Sequence, residues 1–215
     1  LENSQGAPPR LLEEEGRLMV LRALLMERQS QLQIFHATAR LPGFARQLSV
    51  LLRECQRSQV TATRLNELSV KLRGAGALAL KLSDLALLLT AYREWLDLQG
   101  LQDATSLLDL AATELASGSQ LGRTSDQGMP AISQSTVSQR TTSDLLQLGG
   151  IWLDGFAEMT AQELELLAAV VPLAERVTLA FCLDHQPQED PSWLSTWSVV
   201  GQTFRRCWQR LSGIP

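Results

Sequence analysis

Two short apolar runs, each closed by an aspartate and separated by a well-marked helix, constrain this chain more than anything else in it. The first is "GGIWLDGF", from Gly149; the second is "RVTLAFCLD", from Arg176 to Asp184. Between them, "TAQELELLAAVVPLAE" starts at Thr160 and carries Glu163 three residues on, the capping box of a helix start. Strand, helix and strand within about 34 residues is the size of a right-handed βαβ unit, because parallel neighbours need a crossover of a dozen or more residues. Both runs are nearly continuous hydrophobics, which predicts a parallel sheet covered on both faces.

The chain upstream has a helical texture. Leu11, Leu18, Leu21, Leu25, Leu32 and Phe35 recur at helical spacing and predict one long amphipathic helix to about Ala39. "LPGF" (Leu41 to Phe44) interrupts it, and a second helix follows with Phe44, Leu48, Leu51, Leu52 and Cys55 facing inward. A short helix is expected from near Thr63. A third long helix, "ALALKLSDLALLLTAYREWLDLQG", presents Leu82, Leu85, Leu89, Tyr92 and Leu96, with Gly100 as its C-terminal cap. "DATSLLDLAATELASG" is a fourth, capped by Asp103 or Ser106 and closed by Gly118.

After Gly118 the composition turns to Ser, Thr, Gln and Gly, too poor in apolar surface to offset its ordering entropy, so residues 118–147 read as a flexible insertion. At the C-terminal end, "EDPSWLSTWSVVGQTFRRCWQRL" predicts a helix with Asp190 as N-cap and Pro191 at its first position. Trp193, Trp197, Phe204 and Trp208 would then share one side. The expected organisation is a helical subdomain over 10–117, the insertion over 118–147, and a partial α/β segment over 148–215.

Bulk properties narrow the function classes. The 215 residues suffice for one large domain or two small ones. No apolar run approaches the ~20 residues of a membrane span. The start, "LENSQGAPPR", has no Met and no signal-peptide pattern, so the sequence reads as a piece of a longer protein. Cys55, Cys182 and Cys207 form no CxxC, and with only His36 and His185 no zinc set exists; reduced thiols in a cytoplasmic protein are expected. The net charge of −4 argues against indiscriminate nucleic-acid binding. Its distribution is uneven: Arg10 to Lys81 carries 12 basic against 6 acidic residues, Asp84 to Asp190 only 4 against 16. Such asymmetry suits a nucleic-acid face on one part and a protein-docking face on another, or simply opposite faces of one fold.

Few residues carry chemistry. Asp154 ends the first strand, where open α/β sheets bind ligands and where a carboxylate can hold Mg²⁺ through water. Gly155 follows it, where active nucleotide hydrolases commonly place a glutamate; Asp-Gly is also a frequent strand-ending turn. No G-x-x-x-x-G-K-[ST] occurs, so nothing in the sequence cradles phosphates and no ATP hydrolysis is expected. Asp184 and Gln186 match a helicase coupling motif only with the spacing wrong by one, and read as a polar loop. Arg46, Arg53 and Arg57, seven and four apart, share a helix face that suits either phosphates or plain solvent. The tryptophans suit base stacking or, more commonly, a core. His36 reads as structural. No catalytic residue and no metal set is assigned.

Taken together, "GRLMVLRALLMERQSQLQIFHATARLPGFARQLSVLLRECQR", "KLSDLALLLTAYREWL" and "IWLDGFAEMTAQELELLAAVVPLAERVTLAFCLD" resemble, in order, the N-terminal third of the AddB family. AddB (related to RexB) is the second subunit of the bacterial AddAB helicase-nuclease. The "PGF" helix start and the "DGF…T-x-Q-E" block carry most of the specificity. The resemblance implies a predominantly helical α/β fold: a partial RecA-like parallel sheet of the superfamily-1 helicase kind, with an inserted all-α subdomain. It places Asp154 in the Walker B position, and the departure at Gly155 makes that site degenerate. It further implies a role in end processing of double-strand breaks for recombinational repair, with response to Chi sequences. The partners it implies are DNA and an AddA-type motor subunit. ATP with magnesium, and the nuclease domain with its iron–sulfur cluster, would belong to the full-length parent. The competing readings are a free-standing helical adaptor and an NTPase module lacking its phosphate loop.

Overall fold

A computed structural model describes residues 10–123, 147–189 and 191–214, and these divide into two compact units with the boundary between Leu107 and Leu108.

The first unit is built on helices α1 (Glu14–Glu27), α2 (Phe44–Arg57), α3 (Ala62–Lys71) and α4 (Ala77–Gln99). Two short strands, β1 (Leu11–Leu12) and β2 (Gln102–Asp103), pair in parallel beside them. Leu21, Leu25, Leu52, Leu88 and Leu89 are almost completely buried, so the core lies where α1, α2 and α4 meet. The α4 helix ends as expected: Gly100 takes the left-handed conformation (φ 59°), and its N–H reaches back to the carbonyls of Leu96 and Asp97. Thr61 caps α3 by accepting from the Arg64 N–H.

The single helix expected over residues 11–39 does not form. Leu11 and Leu12 are extended and pair with Gln102 and Asp103. The helix proper stops at Glu27, and a 3-10 turn over Gln29–Gln31 follows. Beyond that turn, one buried carboxylate holds the backbone away from a helical ladder. Asp84 on α4, only 2% exposed, accepts the N–H groups of Gln33 (2.9 Å), Ile34 (2.8 Å) and Phe35 (2.9 Å). Those donors would otherwise continue a helical ladder. Leu32 is still buried and Phe35 still packs on the core, so the apolar spacing served tertiary packing without helix continuity. On α2 the buried positions are Ala45, Leu48, Ser49, Leu52 and Gln56; Leu51, expected inside, is 43% exposed.

In the second unit, α5 (Leu107–Arg123) runs through Gly118, five residues past the stop expected there. The remainder of the Ser/Thr/Gln-rich stretch, 124–146, lies outside the described residues. Strands β3 (Ile151–Leu153) and β4 (Val177–Leu179) are parallel, in the register Ile151↔Val177, Trp152↔Thr178, Leu153↔Leu179. Helix α6 (Ala161–Val170) crosses between them, with the Thr160/Glu163 capping box formed in both directions. Gln162 of α6, 1% exposed, donates to Asp109 of α5 at 2.8 Å. The βαβ reading therefore holds, but the expected two-sided burial does not. Trp152 is 68% exposed, and only the face carrying Ile151, Leu153, Val177 and Leu179 is half-buried.

The C-terminal helix, α7, spans Ser198–Leu211 and not the residues from Pro191. Residues 191–197 turn instead. The hydroxyls of Ser192 and Ser195 accept the N–H groups of Leu194 and Trp197, a local competition with the helix ladder. Asp190, expected to cap, lies outside the described residues. The expected tryptophan stripe breaks with it: Trp193 is 81% exposed and off the helix, while Phe204 and Trp208 remain on it.

Candidate functional site

The strand-end aspartate sits on a turn. Asp154 directly follows β3 and is exposed, and it makes no ion pair among the described residues. Gly155 takes φ 70°, a conformation that costs other residues roughly 1–2 kcal/mol. The chain thus turns sharply off the strand, and position 155 carries no side chain to act on a water. The loops leaving both strands bring aromatic rings together at this end. Phe156 meets Phe181 edge-on at 5.0 Å, and Phe181 meets Phe204 at 5.2 Å, with Trp208 stacked beyond. Phe181, Phe204 and Trp208, with Val177 and Leu179, line an apolar cleft of about 620 Å³.

Whether these residues suit a metal–nucleotide complex can be judged from their chemistry. A lone carboxylate holds Mg²⁺ only together with phosphates held by a separate cradle. The rings beside Asp154 supply no such donors. Among the described residues no group of three or more His, Cys, Asp or Glu side chains could hold a metal ion. The residues present do not fit the group. Asp184 lies five residues beyond the end of β4, in a polar loop where its carboxylate is 2.8 Å from His185 Nδ1. Burial pushes the Cys207 and Cys55 thiols above their ordinary values, which makes both poor nucleophiles.

The arginines of α2 form the second candidate. Seven and four residues apart, they fall on one helix face over about 16 Å. Arg46 and Arg57 are exposed. Arg53 is only partly so, because Glu14 of α1 ion-pairs with it. Among the described residues, the face therefore offers two cations without an ion-pair partner where the sequence alone counts three.

The most elaborate polar cluster is one that sequence reading missed. Arg17 of α1 is 2% exposed and ion-pairs with Asp103 of β2. Its Nε donates to Ser49 Oγ at 3.0 Å and Nη2 to Gln56 Oε1 at 3.1 Å, while the guanidinium lies 4.8 Å over the Tyr92 ring. Tyr92 in turn donates to Asp103 at 3.0 Å. Burial lowers the Arg17 pKa and raises that of Tyr92, yet arginine remains charged throughout any working range. The signal was available: Arg17 stands four, seven and eight residues before Leu21, Leu24 and Leu25, on the buried stripe itself. The cluster joins α1, α2, α4 and β2 and, being sealed from solvent, fastens the fold. His36, read as structural, is exposed, with Nδ1 3.0 Å from the Gln33 carbonyl oxygen.

A family model described as "ADDB, N-terminal" matches residues 1–125 and 133–212. The chain belongs to this family. Among curated relatives, a protein of Heliobacterium modesticaldum is 34% identical over 179 residues, which is 82% of this chain and 12% of the relative. One from Symbiobacterium thermophilum is 29% identical over 180 residues, 82% of this chain and 13% of the relative. One from Desulforamulus reducens is 28% identical over 193 residues, 89% and 14% respectively. All three are named as a subunit of an ATP-dependent helicase/deoxyribonuclease. This AddB-family chain spans about an eighth of the length of those relatives. No helix among its described residues is long and apolar enough to cross a membrane.

Proposed function

We propose that this chain is the helicase-like N-terminal region of an AddB-type subunit of an ATP-dependent helicase-deoxyribonuclease. In this reading it is a DNA-scanning and partner-binding scaffold in the processing of double-strand breaks for recombinational repair, with a degenerate ATPase site. Residues 10–117 are the inserted helical subdomain, and β3–α6–β4 is part of a RecA-like sheet. An AddA-type subunit is the motor and the protein partner, and DNA is the ligand of the α2 face. ATP with magnesium, and an iron–sulfur cluster, belong to other parts of the longer protein, in the cytoplasm.

One observation supports this most directly. A carboxylate stands at the carboxyl end of a parallel strand, where such sheets bind ligands, and the next residue is a left-handed glycine in place of an acid. That is the outline of a nucleotide site without its reactive part. Purified chain is expected to show no ATP turnover and weak binding to a short DNA duplex, lost as salt rises because few phosphates are neutralised. ATP turnover abolished by Asp154→Ala would overturn the degenerate-site reading. Binding that ignores Arg46→Ala and Arg57→Ala would remove the α2 face from it.

A further inference from the structure

The arginine at the centre of the α2 face is already occupied, and by a residue that does not depend on it for its position. Glu14 presents Oε2 to Arg53, while its other oxygen, Oε1, accepts from Ser49 Oγ at 3.3 Å. Ser49 itself receives Nε of the buried Arg17, so the hydroxyl is held from behind. Glu14 also lies in the first turn of α1, where the helix dipole favours an anion. It therefore stays in place with or without Arg53. The pair faces solvent, with the Arg53 side chain 32% and the Glu14 side chain 49% exposed. Exposed pairs of this kind are weak, and a phosphate offers the same planar fork a competing set of oxygens.

We propose that Glu14 is a built-in competitor for phosphate at Arg53. A nucleic-acid backbone engages Arg46 and Arg57, and a third contact, at the central arginine, forms only if Glu14 gives way. Glu14 thereby sets how many phosphates the face neutralises, and with that the affinity and salt sensitivity of the chain. This rests on reading the α2 face as a DNA contact.

The test is titration of the chain with a short DNA duplex over a range of salt. Glu14→Gln keeps the hydrogen bond to Ser49 and removes the charge. It is expected to tighten binding and to steepen the slope of log K against log salt by about 0.9, the increment for one further phosphate. Arg53→Ala in the otherwise unchanged chain is expected to leave the slope alone, yet to cancel the gain when combined with Glu14→Gln. A slope unchanged by Glu14→Gln, or reduced by about 0.9 in Arg53→Ala alone, overturns the proposal. If in that case Arg46→Ala and Arg57→Ala still weaken binding, the DNA reading stands without it. If those two are also silent, both fall together. The Arg53→Ala arm decides the matter even if the Glu14 variant folds poorly.

Discussion

Removing the Asp103 carboxylate should destabilise the first unit far more than an ordinary surface change. In Asp103→Ala, Arg17 stays buried and charged, keeping Ser49 (3.0 Å) and Gln56 (3.1 Å) but losing its ion-pair partner, and Tyr92 loses its acceptor. Breaking one side of a buried ion pair costs about 3–5 kcal/mol, and the loss at Tyr92 overlaps with this and does not simply add. Because the chain divides into two compact units, a single denaturation curve can mix two transitions. Amide hydrogen exchange resolves them. Protection in α1 and α4 should fall by roughly two to three and a half orders of magnitude, while α6 serves as the internal control. The paired replacement Arg17→Met with Asp103→Leu removes both charges and should lose less than Asp103→Ala alone. A fall of less than tenfold in α1 and α4, or an equal fall in α6, would refute the view that this pair fastens the first unit.

Further expectations concern local devices. Asp84→Ala leaves three N–H groups without their acceptor and should cost upwards of about 2 kcal/mol, read as faster exchange at Gln33, Ile34 and Phe35. Thr160→Ala removes half of the capping box of α6 and should lower its protection by about 1 kcal/mol. Gly155→Ala meets no atom within 4 Å but must adopt φ 70°, so its cost of roughly 1–2 kcal/mol is conformational, measurable as a shift in the urea midpoint of the second unit. Finally, the hydrogen bond from Arg210 holds the Glu165 carboxyl below its ordinary range. A depressed folded-state value stabilises above the unfolded one, near about 4.3, and that contribution fades as pH falls through the folded one. Arg210→Ala should remove this part of the acid sensitivity, seen by comparing exchange in α6 and α7 at neutral and acid pH.

Features coded by neighbours in sequence were legible without a structure. The capping box at Thr160, the Gly100 stop, the start of α2 at Phe44 and the strand–helix–strand order each depend on residues a few positions apart. A local pattern suffices because the competing conformations are local too. By the same logic, the aspartate-glycine turn after β3 was readable, and so was the lack of any phosphate loop in the sequence.

Tertiary structure decided what long-range partners control. Nothing near Gln33 announces that a carboxylate some fifty residues later, Asp84, will take its N–H. Nothing near Asp103, expected only to cap a helix, says that Arg17 will be buried against it. The α2 arginines keep the helical spacing read from the sequence, but Glu14, on another helix, ion-pairs with the central one. Likewise the apolar run of β3 predicted cover on both faces, yet Trp152 stands in solvent. Hydrophobic periodicity reports which residues seek burial. A buried polar group answers instead to whichever partner the fold delivers, and its desolvation cost makes that partner decisive.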